Sequence, residues 1–283
     1  TTFYQDLTSV ISACSFYLSK LDNPELIAEY IGKFIKLVTL VNSNVLSLEE
    51  AYKNTLKAIM RPLSGAHTAF IRFKTQLIEK LENETIKGLE NCLILAISHS
   101  KKILSSKQKK ADFLPLSSSP KLFERLTSKG KIAPQPKPEA DNTKLEKTEA
   151  CAALSAFIRS ISSDVNMELD GENRVSFLSE LGRILLTNVI YEHLCQYKYN
   201  FLGAKQLSVD VAEYQAALDT FKIDLLTKRV MELSTASEWM TIEPQALSEK
   251  IRSQPQSKRT LRVASRLLQL RVDAKEIDMD IFH

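Results

Sequence analysis

Residues 66–106 read AHTAFIRFKTQLIEKLENETIKGLENCLILAISHSKKILSS, and this stretch decides the fold class. Its large apolar residues recur mostly three or four positions apart, which is the spacing that places side chains on one face of an α-helix. No proline interrupts the pattern. At about 1.5 Å per residue it predicts a helix roughly 60 Å long. The residues of this face are Phe70, Phe73, Leu77, Leu81, Ile86, Leu89, Leu93, Ile97 and Leu104.

The same spacing continues on both sides of this stretch. Before it, Asn23-Pro24 predicts a helix start, because proline is favoured at the first helical position. Ser47-Leu48-Glu49-Glu50 has the pattern of a capping box and predicts a second start. Since no segment alternates strongly enough for a β-strand, we predict an all-α protein. After the long helix, further helices are predicted near residues 145–166, 172–200, 206–220, 222–240, 244–253 and 257–275.

A change of composition marks the best internal boundary. Serines at 117–119 and prolines at 134, 136 and 138 lie among Lys, Gln and Glu residues, which is typical of a mobile loop. One short helix carrying Leu122, Phe123 and Leu126 is predicted inside it. The sequence therefore predicts a first helical bundle region at 1–113, a mobile loop or insertion at 114–147, and a carboxy-terminal helical bundle at 148–283. An insertion within one bundle array is the alternative to a true domain linker.

Composition bounds the class of protein. Of 283 residues, 44% are hydrophobic and 25% are charged, which is ordinary for a globular chain and excludes wholesale disorder. Only 7 glycines are present, too few for the many tight turns of a large β or α/β fold. The formal charge of +4 is too small for a nucleic-acid-binding protein, so we expect no nucleic-acid partner.

The cysteines indicate a cytosolic protein, and the chain start indicates a fragment. Four widely spaced cysteines among helical apolar residues predict reduced core thiols. No apolar run reaches transmembrane length, since lysines and asparagines interrupt the nearest one, residues 31–45. The chain starts at Thr1 inside a helical pattern without Met or a signal peptide. We therefore expect a fragment of a longer cytoplasmic protein.

A search for catalytic chemistry predicts that the protein is not an enzyme. It contains no glycine-rich phosphate loop, no G-x-S-x-G motif and no histidine with a second ligand at metal-binding spacing. His193 could act as a general base, but a partly buried helical histidine is the favoured interpretation. We accordingly expect no cofactor and no metal.

Two basic features are candidate binding surfaces for an anionic lipid or an acidic partner. The first feature lies at the end of the long helix and consists of Lys101, Lys102, Lys107, Lys109 and Lys110. Cations there also complement the helix dipole, which is the simpler interpretation. In the last helix, arginines line one face and Leu261, Ala264 and Leu268 line another; an ordinary surface helix is the alternative there. The candidate residues are Arg259, Arg262, Arg266, Lys107, Lys109 and Lys110.

Several strings resemble the carboxy-terminal region of the exocyst complex component 5 family. Their order and spacing match that family from about Lys74 to Val272, whereas residues before Lys74 match only in helical character. One departure is that Gly203 is followed by Ala204, where the family usually has a glycine pair. The fungal recyclin F-box proteins share this module. The matching strings are residues 104–113 (LSSKQKKADF), 169–173 (LDGEN), 180–182 (ELG), 190–194 (IYEHL), 196–197 (QY), 210–214 (DVAEY) and 221–223 (FKI).

The resemblance implies an elongated rod of stacked antiparallel helical bundles that acts in exocytosis. It implies a non-catalytic docking fragment of a vesicle-tethering subunit, whose partners are other tethering-complex subunits and Rab- or Arf-type small GTPases. The alternatives are a recyclin-type F-box adaptor in endosomal recycling and a basic lipid-binding helical module. The expected location is cytoplasmic, peripheral at sites of secretion or on endosomal membranes.

Residues within the matching strings receive structural roles. We predict that Asp210 caps the helix containing Tyr214 or pairs with a nearby lysine. Helical spacing predicts core positions for Tyr191, Leu194, Tyr197, Val211, Tyr214, Phe221 and Ile223.

Overall fold

A computed structural model describes residues 2–21, 23–51, 53–54, 64–115, 145–169, 171–253 and 257–282. Over these residues the chain is all-α, which confirms the predicted fold class. Outside the helices, the backbones of Tyr199 and Arg271 form an isolated β-bridge. The helices are α1 (Thr2–Leu18), α2 (Pro24–Ala51), α3 (Ser64–Lys107), α4 (Lys110–Phe113), α5 (Glu149–Glu168), α6 (Gly171–Ile184), a π-helix (Leu185–Tyr191) with a following turn (Glu192–Leu194), α7 (Phe201–Leu218), α8 (Asp224–Trp239), α9 (Pro244–Arg252) and α10 (Lys258–Leu268).

The helices pack in series rather than around one centre. Helices α1, α2 and α3 contact one another, α2 and α3 both contact α5, α5 contacts α7, and α8 lies between α7 and α10. Buried apolar side chains from all of these helices belong to one cluster that runs from Ile11 to Ile277. A stack of amphipathic helices buries its faces in this way because each helix covers the apolar stripe of the next.

The predicted core positions are confirmed. Leu194, Val211, Tyr214 and Phe221 are at most 2% exposed. Tyr191, Tyr197 and Ile223 are partly buried against the same cluster.

Helix α2 differs from its prediction in two ways. It runs through the expected start at Ser47, whose hydroxyl instead donates to the carbonyl of Ser43 at 3.0 Å. The helix continues because its apolar face continues: Val41 is buried and Val45 packs on the core. The segment Leu26–Ala51 is also long and apolar enough to cross a membrane, contrary to the sequence-based expectation. Core helices of soluble proteins pass the same test, so this is weak evidence for a membrane span.

One helix, α7, holds both ends of the segment that contains the predicted loop. Asn200 caps α7 by accepting from the Gly203 N–H at 2.8 Å, and its side-chain amide donates to the Pro115 carbonyl at 3.2 Å. On the returning side, Gln206 donates to the Glu146 carbonyl at 2.8 Å. Residues 116–144, with the predicted short helix, lie outside the described residues. The division at 114–147 stays a prediction, which limited proteolysis between Ser117 and Lys147 checks.

Asp210 has a different role from either predicted one. It lies inside α7 and is fully buried, and its carboxylate accepts from the backbone N–H of Thr148 at 2.9 Å and from the Thr148 hydroxyl at 2.8 Å. Thr148 in turn caps α5 by accepting from the Cys151 N–H. Asp210 therefore ties the start of α5 to the middle of α7.

A buried arginine fixes the chain after α10. The Arg271 guanidinium donates to the carbonyls of Met240 and Ile242 and makes two bonds of 2.8 and 2.6 Å to Asp273. Next to it, the backbone of Tyr199 pairs with Leu270 and Val272. These contacts position α10 against α8 and the end of the π-helix.

Candidate partner-binding groove

A groove of about 630 Å³ lies where the π-helix, α8 and α10 meet. Its floor is apolar and includes Leu186 from the π-helix, Leu233 from α8 and Val263 from α10. Leu186 and Leu233 are buried and Val263 is half-buried. The groove therefore combines apolar side chains from three helices with the polar and charged side chains around them.

The walls of this groove are strongly basic. Five cationic and two acidic side chains line it, a net formal charge of +3. The whole chain has a formal charge of only +4, so the groove concentrates positive charge far above the average of the chain. The cations are Arg229, Lys258, Arg259, Arg262 and Arg266, and the acids are Glu192 and Glu232.

Arg266 is held in place at one end of the groove. Two of its nitrogens lie 3.1 Å from the two carboxylate oxygens of Glu192, the bidentate arrangement that suits a guanidinium. Its guanidinium carbon also lies 5.3 Å from the centre of the Tyr191 ring. The hydrogen-bonded carboxylate of Glu192 raises the pKa of Arg266. Both charged side chains are half exposed, so this pair orients the arginine without removing it from solvent.

Arg259 is oriented by the second acid. Its Nε lies 2.9 Å from Oε2 of Glu232, although the alignment is not that of a hydrogen bond. Ser257, the residue that caps α10, lies 3.4 Å from the other oxygen of Glu232. Glu232 therefore connects α8 to the first turn of α10 and places Arg259 on the rim.

Three cations of the groove remain available. Within the described part of the chain, no carboxylate lies within ion-pair distance of Arg229, Lys258 or Arg262. Lys258 and Arg262 are exposed and Arg229 is half-buried. Along α10, the exposed Arg262 lies between Arg259 and Arg266, the two arginines that the acids orient.

A second, smaller hollow adjoins the groove. It has a volume of about 490 Å³ and shares Asn188 and Glu192 with the groove. Lys101 and Lys102, near the end of α3, line its other side. The basic surface thus extends from α10 across the π-helix to α3.

The structure divides the first predicted basic feature: Lys101 and Lys102 line the hollow beside the groove, whereas its other three lysines lie elsewhere. Arg259, Arg262 and Arg266 lie together on the groove. Lys107, Lys109 and Lys110 do not line it. Lys107 and Lys109 instead lie 2.8 and 3.9 Å from the carboxylate of Glu149 at the start of α5, and Lys107 lowers the pKa of that carboxyl. They join two helix ends, in keeping with the dipole interpretation.

Sequence reasoning missed the other half of the groove. The π-helix supplies Leu186, Thr187, Asn188 and Tyr191, and the sequence has no signal that distinguishes it from an α-helix. Such widened turns recur at functional sites. Arg229 and Glu232 also went unnoticed because they lie on α8, far from α10 in sequence. The signal that could have identified Arg229 is a cation beside the apolar face of a helix. Many surface helices have this pattern, so it is not specific for a binding site.

The groove has no catalytic arrangement. His193 lines the adjoining hollow rather than the groove, and its Nε2 lies 3.2 Å from the Tyr197 hydroxyl. Burial lowers the pKa of His193 to about 4, so the ring is neutral at physiological pH. Among the described residues, no cluster of His, Cys, Asp and Glu could hold a metal ion. Burial raises the pKa of the Cys92 and Cys151 thiols, as expected for core residues.

Comparison with known proteins gives one consistent result. Residues 23–282 match the family described as exocyst complex component Sec10-like, alpha-helical bundle. The match begins well before Lys74, so the likeness covers more of the chain than its strings indicated. It includes all three helices that form the groove.

Curated relatives come from animals and plants. Human exocyst complex component 5 is 28% identical over 200 residues, which are 71% of this chain and 25% of that protein. Exocyst complex component SEC10a of Arabidopsis thaliana is 25% identical over 242 residues, 86% of this chain and 26% of that protein. The chain thus spans about a quarter of the length of the curated relatives it matches.

Proposed function

The chain belongs to the exocyst complex component Sec10-like family, and we propose that it is a helical docking portion of a vesicle-tethering exocyst subunit that acts in exocytosis. The match over residues 23–282 carries this proposal. The physical character of the chain supports it. A stack of helices with one continuous core holds its outer surfaces at fixed positions, which is what a scaffold requires.

A non-catalytic role is part of the proposal. The ionisable groups that line the groove are mostly cations, and its two carboxylates are already engaged with Arg259 and Arg266. General acid–base catalysis needs a proton donor or acceptor with a pKa near the working pH. Charged side chains arranged around an apolar floor instead suit the recognition of a partner.

Affinity capture of the full-length protein from its own cells, followed by mass spectrometry, tests the proposal. We expect the other exocyst subunits to be recovered in comparable amounts. Recovery of the F-box adaptor of a ubiquitin ligase without exocyst subunits would refute it and favour the recyclin-type alternative.

The finer assignments stay predictions. These are binding of Rab- or Arf-type GTPases, contact with an anionic membrane surface, and a position at sites of secretion or on endosomal membranes. Capture on GTPases loaded with GTP or with GDP checks the first of them. A GTPase that acts as a partner should bind in the GTP-loaded form only.

A further inference from the structure

We propose that the groove between the π-helix, α8 and α10 binds an acidic segment of a partner protein that places an apolar side chain on the groove floor. The inference rests on the proposed function, since it assumes that this chain docks other proteins. It adds the surface used and the chemistry of the partner segment.

Charge complementarity identifies the ligand as anionic. The groove has a net formal charge of +3, and three of its five cations have no counter-charge among the described residues. Along α10, Arg259, Arg262 and Arg266 follow one another at three and four residues, a rise of about 4.5 and about 6 Å. An acidic segment with carboxylates at a similar spacing would meet all three.

The shape of the site favours a protein segment over a membrane. Of the apolar residues that line the groove, Leu186 and Leu233 are buried and Val263 is half-buried, so none of them projects from the surface as an anchor for a bilayer would. Helices that bind lipid surfaces expose their apolar face so that it enters the bilayer. In α10 the residues of that face, Ala264, Leu267 and Leu268, are 0% exposed within the core.

The acids on the rim also favour a peptide. Glu192 and Glu232 fix two arginines in defined orientations, which suits separate carboxylates better than one compact phosphate cluster. Mixed charges around an apolar centre are the usual composition of a protein-binding site. The adjoining hollow with Lys101 and Lys102 would accommodate further acidic residues of the same segment.

Fluorescence anisotropy with a defined probe tests the inference. The probe is a fluorescein-labelled peptide of glutamates with leucine at every fourth position, and a second peptide has serine in place of leucine. We expect the leucine peptide to bind several-fold more tightly than the serine peptide. Binding should weaken at least about tenfold between about 50 and about 300 mM NaCl, because salt screens exposed charges.

Two matched variants localise the binding. Arg262→Glu should weaken binding of the leucine peptide by about tenfold or more, since it reverses the charge between Arg259 and Arg266. Lys228→Glu makes the same change of net charge on α8, at an exposed residue outside the groove, and should leave affinity within about twofold. Both residues are exposed, so we expect each variant to fold, and circular dichroism of the two variants checks this.

The outcomes separate the alternatives. If both variants weaken peptide binding equally, the peptide is attracted by the net charge of the protein rather than by the groove, and the inference is overturned. So would the absence of peptide binding, or binding to phosphatidylserine vesicles that Arg262→Glu abolishes when no peptide binds. None of these results affects recovery of exocyst subunits by the wild-type full-length protein. Failure of that recovery, which would overturn the proposed function, is therefore distinguishable from failure of peptide binding.

Discussion

Replacing Asp210 with asparagine should change how the stability of this protein depends on pH. The Asp210 carboxylate is fully buried in α7 and accepts from the Thr148 backbone, the Thr148 hydroxyl and the Gln206 amide. Burial raises the pKa of this carboxyl, and the bonds from Thr148 and Gln206 lower it. Burial is the larger effect, and the resulting pKa is about 6.

The sign and the size of the effect follow from this pKa. A carboxyl whose pKa rises from 3.8 to about 6 on folding contributes stability below its unfolded pKa, and the contribution is lost as pH rises through 6. The full loss is about 3 kcal/mol, of which about 2 kcal/mol falls between about pH 4.5 and about pH 7.5. Asparagine does not titrate, but its carbonyl oxygen still accepts from the Thr148 N–H. The free energy of unfolding of Asp210→Asn, relative to wild type, should therefore rise by about 2 kcal/mol over this range.

Urea unfolding followed by circular dichroism at several pH values measures this difference. Groups common to both proteins cancel, so the comparison isolates residue 210. Thr148→Val is a useful companion, because it removes one donor to Asp210 and should enlarge the loss of stability at high pH. A difference between Asp210→Asn and wild type that is flat, or that falls as pH rises, would refute the reasoning. A flat difference would mean that the hydrogen bonds balance burial, and a falling one that they outweigh it.

Three further substitutions test other contacts. Gly203→Ala should cost about 3 kcal/mol or more in chemical denaturation, because the new Cβ would overlap the Phe113 carbonyl and lie 2.8 Å from the Phe113 Cα. Arg271→Lys should cost about 2–4 kcal/mol, since one ammonium cannot bind Asp273 and two carbonyls together. Burial lowers the pKa of His193 from 6.5 to about 4, so its contribution to stability is present above pH 6.5 and is lost as pH falls towards 4. His193→Gln should therefore gain about 2–3 kcal/mol relative to wild type between pH 6.5 and 4.

Matched controls make these three results decisive. Gly171→Ala meets open space at φ +51° and should cost only about 1–2 kcal/mol, so an equal loss at both glycines would contradict the proposed clash. Arg183→Lys alters an exposed pair with Glu180 and should leave the stability nearly unchanged, because solvent screens exposed ion pairs. If His193→Gln differs from wild type by the same amount at every pH, the ring is not kept neutral by burial.

The local spacing of apolar residues was sufficient to predict most helices, but it was insufficient to predict where they begin and end. Helices α3, α8 and α9 lie close to the segments that apolar spacing predicted, whereas α10 ends at Leu268, seven residues before the predicted end at 275. That spacing depends on neighbours within about one helical turn, which the sequence displays directly. At Ser47 the capping-box pattern does not start a new helix, because Val41 and Val45 continue an apolar face of α2 that packs on the core. Tertiary burial outweighs one cap of about 1 kcal/mol.

The sequence by itself determined the all-α class, the family and the basic face of α10. Helical periodicity, the order of motifs and the positions of charged residues can all be read from residues that are close to one another in the sequence. Only the tertiary structure decided that this face meets Leu186 from the π-helix, Glu192 from the turn after it and Glu232 from α8. It also decided that Asp210 binds Thr148. Each of these pairings joins helices that are distant in sequence, and packing of the apolar faces, rather than any local motif, brings them together.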